Sequence, residues 1–72
     1  MKTKIKFTGQ SFGERIIMLR ESCSMKQKDL AIKAGLSTSY ICDIEKHRKL
    51  PSFRALKWIA KSLSVTVGQL MD

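Results

Sequence analysis

The stretch Lys26–Glu45, KQKDLAIKAGLSTSYICDIE, decides the fold. Leu30, Ala31 and Ala34 fall at helical spacing before Gly35; Leu36, Ile41 and Ile44 resume it afterwards. Apolar residues three and four apart make one buried helical face. A glycine between two such runs ends the first helix in the left-handed conformation and turns the chain. The layout is that of a helix-turn-helix: close-packed inside, with the outer face of its second helix left free.

The flanking segments extend the same pattern. Upstream, Ser11 and Glu14 have the spacing of a capping box, and Phe12, Ile16, Leu19 and Cys23 form the expected buried stripe of a first helix, widened by Ile17 and Met18. Ser24 and Gln27 offer a second box for the helix that runs to about Ala34. Ser37 is the expected N-cap of the third helix, with Leu36 and Ile41 as its hydrophobic staple, and this helix should end near Glu45 or Lys46. Pro51-Ser52 opens a fourth, with Phe53, Leu56, Ile59, Ala60 and Leu63 facing inward. Thr66 and Gln69 make one more box, stapled by Val65 and Leu70, and predict a short fifth helix. The expected fold class is all-α, a compact five-helix bundle carrying the helix-turn-helix at helices 2–3.

Residues 1–10 stand apart from the domain expected over 11–72. Lys4-Ile5-Lys6-Phe7-Thr8 alternates polar and apolar before Gly9. Three readings remain open for this arm: a frayed tail, a short strand that pairs with a partner subunit, or a basic arm lying on DNA.

Composition narrows the function. The 72 residues suffice for one small core, and no separate sensing or catalytic domain is expected within them. The net charge is +8, from 14 Lys and Arg against 6 Asp and Glu, which favours a polyanionic partner. From Lys46 to Lys61 every charged residue is basic (Lys46, Arg48, Lys49, Arg54, Lys57, Lys61). A merely solvated face usually mixes signs, so this run reads as a contact surface. Cys23 and Cys42 are too few for a disulfide framework, and with a single histidine they offer no zinc site. Cys42 reads as a small inert hydrophobe in preference to a redox switch. No metal, cofactor or small-molecule ligand is expected, and no nucleophile has an orienting partner, so the chain is not expected to be an enzyme. It lacks an apolar run of membrane-spanning length and an N-terminal signal pattern, so no membrane association and a cytoplasmic location are expected.

Taken together, FGERIIMLRE, QKDLAIKAGLSTSYICDIE, LPSFRALKWIAKSLSV and GQL make residues 11–72 resemble the phage repressor/Cro-like, or XRE, helix-turn-helix family. The resemblance implies a sequence-specific transcriptional regulator of double-stranded DNA, most often a repressor, acting as a homodimer on an inverted repeat with helix 3 in the major groove. It places base reading at Ser37, Thr38, Ser39, Tyr40 and Asp43, and phosphate binding at Gln27, Lys28, Lys46, Arg48 and Lys49. It pairs Arg20 with Glu45 as a structural ion pair.

Several roles stay open. Gln27 either braces a phosphate or completes a cap with Ser24. Tyr40 either meets a base or sugar or packs along its helix. Asp43 either accepts from a cytosine amino group or repels misplaced phosphates. Two residues depart from the family pattern. His47 stands where many relatives have glycine, which leads one to expect a different end to helix 3 and a shifted loop. Trp58 stands where many have a polar residue; with Leu70 and Met71 it is a candidate dimer contact, or else it folds back over its own domain. The competing function is a protein-interaction module that uses the same bundle against an acidic partner.

Overall fold

A computed structural model describes residues 12–71, so the arm at 1–10 and the Ser11 cap lie outside the described residues. Five helices follow in order: α1 (Phe12–Ser22), α2 (Gln27–Ala34), α3 (Thr38–Glu45), α4 (Phe53–Ser62) and α5 (Val67–Met71). The described residues contain no strand.

The core is where the helical stripes meet. Ile16 and Leu19 of α1, Leu30, Ala31 and Ala34 of α2, and Ile41 and Ile44 of α3 are buried together with Leu56, Ile59 and Ala60 of α4, Leu63, and Leu70 of α5. The three alanines let helix axes approach closely where larger side chains would hold them apart. Helix α2 packs on α3 and α4, α1 on α3 and α5, and α4 on α5. Helix α3 is therefore seated on α1 and α2 along its inner face.

One glycine makes the α1–α3 contact possible. A Cβ on Gly13 would lie 2.7 Å from the Ile44 carbonyl oxygen and 2.9 Å from that of Glu45. Both are backbone atoms, so no side-chain rotation could relieve the clash. Gly13 thus lets the first turn of α1 rest directly on the last turn of α3.

Four helix ends share one device. After α1, α2, α3 and α4 the residues Ser24, Gly35, His47 and Ser64 take positive φ, at 57°, 72°, 64° and 60°. At each, the next amide reaches back to a carbonyl five residues earlier: Met25 to Arg20 at 3.0 Å, Leu36 to Ala31 at 2.9 Å, Arg48 to Asp43 at 2.8 Å and Val65 to Ala60 at 2.9 Å. These are Schellman closures, which satisfy carbonyls that the helix leaves unpaired. His47 adopts the conformation a glycine would, so the expectation that α3 ends differently is corrected.

Three further expectations are corrected here. Ser24 does not cap α2, because it sits in the turn that closes α1; α2 instead begins with the Lys26 amide donating to Asp29 Oδ2 at 2.9 Å. Cys23 is exposed because α1 ends one residue before it. Phe53 is 65% exposed and faces away from the core, with Lys57 Nζ lying 5.1 Å from its ring centre. The other caps stand where the spacing put them. Ser37 Oγ accepts from the Tyr40 amide, Ser52 Oγ accepts from the Ala55 amide, and Thr66 and Gln69 bond reciprocally.

Candidate nucleic-acid interface

Helix α3 has two faces of different character. Ile41 and Ile44 are fully or nearly fully buried, whereas Ser37, Thr38 and Ser39 at its N-terminal end are exposed. The exposed trio carries hydroxyls and one methyl on a helix end that protrudes into solvent. Such groups can hydrogen-bond to base edges or touch a thymine methyl. Ser37 Oγ also serves as the N-cap acceptor, and a hydroxyl engaged in this way still has its own proton to donate.

The position of α3 is set from beneath by a polar cluster. Glu45 Oε2 accepts from Arg20 Nε at 2.8 Å, and Glu45 Oε1 accepts from Arg20 Nη2 at 3.3 Å and from Gln27 Nε2 at 2.8 Å. Arg20 Nη1 donates onward to the Met25 carbonyl at 2.7 Å. The Arg20 and Glu45 side chains are only 11% and 3% exposed. Charged groups this far from water persist where each is paired and hydrogen-bonded. The cluster ties the end of α1, the start of α2 and the end of α3 to a single carboxylate. The residues expected to form an ion pair do so.

Gln27 joins this cluster, a role that neither reading of it anticipated. Its Ser24 cap does not form. A primary amide carries two N–H groups, so its bond to Glu45 is compatible with donating the other to an anion at the α2 N-terminus. Lys28, one residue on, is exposed.

Tyr40 is held inward. It is half-buried against the core, and its hydroxyl accepts from the Ser52 amide at 3.1 Å, which joins α3 to the cap of α4. Lys49 Nζ lies 5.4 Å from the centre of its ring, within cation–π range. Its ring packs against the core and its hydroxyl bonds across to the cap of α4, a contact that neither reading anticipated. A contact between residues twelve apart, across a basic loop, leaves no signature in local spacing.

Asp43 sits one turn beyond Ser39 on α3 and faces the loop. Its Oδ1 is 3.7 Å from Arg48 Nη1, and its Oδ2 is 3.9 Å from Lys49 Nζ. Arg48, Lys49 and Lys46 are exposed at the end of α3, so cations expected on the phosphate-binding loop gather beside the polar face of this helix. The proposed dimer trio, by contrast, is dispersed. Leu70 is 0% exposed and belongs to the core, a correction of its assignment to an interface. Trp58 is 43% exposed and borders a cleft with Lys33 and Lys61, whereas exposed Met71 lines a different groove with Phe12, Leu50, Pro51 and Leu56.

Residues 16–70 match the helix-turn-helix family model of the XRE type. The chain belongs to this family. One family member, the immunity repressor protein of Bacillus phage phi105, is 39% identical over 59 residues, covering 82% of this chain and 41% of the relative. The chain thus spans less than half the length of that protein. Among solved structures, the biofilm master regulator SinR in complex with DNA superposes with a TM-score of 0.83 at 33% identity, covering 86% of this chain and all of the other. The P22 c2 repressor bound to a synthetic operator gives 0.83 at 27% identity, covering 88% and 96% of the two chains. The helix-turn-helix family match spans all five helices in whole or part, from mid-α1 to Leu70. No helix among the described residues is long and apolar enough to cross a membrane.

Proposed function

We propose that this chain is a sequence-specific, double-stranded-DNA-binding transcriptional repressor with α3 in the major groove. The observation that carries the reading is the exposed hydroxyl-bearing end of α3, anchored from below by the Arg20–Glu45–Gln27 cluster and flanked by Lys46, Arg48 and Lys49. A rigid polar helix end beside cations matches what DNA demands: phosphate contacts set position and base-edge contacts specify sequence. Relatives named as repressors, and neighbours solved on DNA, support the same reading and a non-enzymatic role.

In this reading Thr38 and Ser39 read bases, with Ser37 beside them. Arg48, Lys49, Lys46, Lys28 and Gln27 hold phosphates. Arg20 and Glu45 act only through the placement of α3. A homodimer on an inverted repeat would present two such helices to successive major grooves, ~34–36 Å apart. Trp58 and Met71 are among the exposed apolar side chains that a second copy could cover, alongside Ile32, Leu50 and Phe53.

Selection of bound duplexes from a random pool at near-physiological salt tests the proposal. The expected result is an enriched inverted repeat with half-sites about one helical turn apart. A single enriched half-site would retain DNA reading and remove the dimer. No enrichment would favour the alternative, a protein-interaction module for an acidic partner.

A further inference from the structure

We propose that Asp43 is a counter-ion latch: it occupies Arg48 and Lys49 in the free protein and so suppresses binding to DNA of the wrong sequence. The inference rests on the DNA-binding reading above and concerns how that site discriminates.

The geometry sets up a competition. Both carboxylate oxygens face cations, yet the separations of 3.7 and 3.9 Å are too long for hydrogen bonds. Side-chain exposures of 65% for Arg48 and 51% for Lys49 put the cations in solvent, so the pairs are weak and readily exchanged for a phosphate. Lys49 also spans Asp43 and the ring of Tyr40, whose hydroxyl is tied to Ser52. The loop is therefore gathered around one anion that stands between the hydroxyls of α3 and the cations.

Residues four apart on a helix share a face, so Asp43 lies beneath Ser39 along α3. When α3 is fully seated in a groove, a carboxylate there can accept from a cytosine amino group, which compensates for releasing its cations. On a duplex that α3 cannot enter, no such donor is reached. The carboxylate then continues to hold Arg48 and Lys49. Asp43 thus penalises the electrostatic, sequence-independent mode more than the seated one.

The test is Asp43→Asn in the full chain, with affinity measured across a salt series on the selected operator and on a scrambled duplex. Asparagine keeps the shape and removes the charge. The expected outcome is tighter binding to the scrambled duplex by about two- to fivefold at low salt, the scale of one weak ion pair. The logarithmic salt slope should steepen by about one on that duplex, since another cation becomes free to displace a counter-ion. Operator affinity should change less, so the discrimination ratio falls.

A second comparison tests the route. In an Arg48→Ala, Lys49→Ala background the gain from Asp43→Asn should largely vanish; full persistence would mean that Asp43 acts directly on phosphate and would overturn the latch. Weaker binding of Asp43→Asn to the scrambled duplex would also overturn it, by showing that Asp43 pre-organises the cations. Unchanged affinity and slope on a duplex that the wild type binds would remove the latch alone. Failure of the wild type to bind any duplex would remove the DNA reading and the latch together. Equal melting temperatures for wild type and Asp43→Asn separate these outcomes from misfolding.

Discussion

Gln27 Nε2 donates to Glu45 Oε1 across 2.8 Å, so the first residue of α2 and the last residue of α3 meet at one carboxylate. Arg20 reaches the same group from α1. The angle between the two helices of the helix-turn-helix is thereby held at both ends: by Gly35 at the turn and by this cluster at the far side.

Removal of one member of the ion pair should be costly. Arg20→Ala strands the buried Glu45 charge, and Glu45→Ala strands Arg20, at about 3–5 kcal/mol each for a well-buried pair. Replacing both should cost less than the sum, because the stranded charge is gone. Urea unfolding of the three variants measures this directly. Additive losses would show that the pair is not coupled.

Two glycines should differ in kind when changed to alanine. Gly13→Ala forces a Cβ against the backbone of Ile44 and Glu45, so α1 must lift from α3, at about 1–3 kcal/mol for an overpacked contact. Gly35→Ala has open space but keeps φ at 72°, which costs about 1–2 kcal/mol as backbone strain. Gly13→Ala should additionally displace α3 and weaken operator binding beyond its effect on stability. Denaturation midpoints together with affinity at a temperature where both variants remain folded distinguish the two.

Ser64→Gly should stabilise the fold. Ser64 closes α4 with φ at 60°, a conformation that glycine takes without steric cost. The gain, reduced by glycine's extra freedom in the unfolded chain, should be about 0.5–1 kcal/mol. For a domain of this size that raises Tm by roughly 2–8 °C. A fall in Tm would mean that the serine side chain contributes more than its backbone strain removes.

Tyr40→Phe separates support from recognition. Loss of the hydroxyl that accepts from Ser52 should cost about 0.5–1.5 kcal/mol of stability and leave the preferred operator unchanged. Thr38→Ala or Ser39→Ala should do the reverse, altering which base is preferred at one position while leaving stability nearly intact. Arg48→Ala should weaken operator binding and flatten its salt slope by about one, with a smaller effect on a scrambled duplex, where Asp43 still holds this cation. Repeating the duplex selection with each variant checks all of these; a changed operator for Tyr40→Phe would return that residue to the reading face.

Five helices, most of the core and the helix-turn-helix are legible from residue spacing alone, because caps, glycines and apolar periodicity are local signals. Ser37, Ser52 and Thr66 act where their position beside an apolar run placed them, and Leu30, Ile41 and Ile59 are buried as their periodicity required. Periodicity weakens at helix ends, where one residue decides which face a side chain takes. There the spacing counts Cys23 and Phe53 as buried although both are exposed, and offers Ser24 as a cap although it closes the preceding helix. The XRE resemblance supplied the Arg20–Glu45 pair, which no spacing within one helix could reveal. Packing in three dimensions set the rest. It drew Gln27 to Glu45, turned Tyr40 to Ser52, set Gly13 under α3, sank Leu70 into the core and placed Asp43 between Arg48 and Lys49. Each is a meeting of side chains or backbone across separate elements, and such meetings depend on how helices are stacked in space, which one-dimensional spacing does not encode.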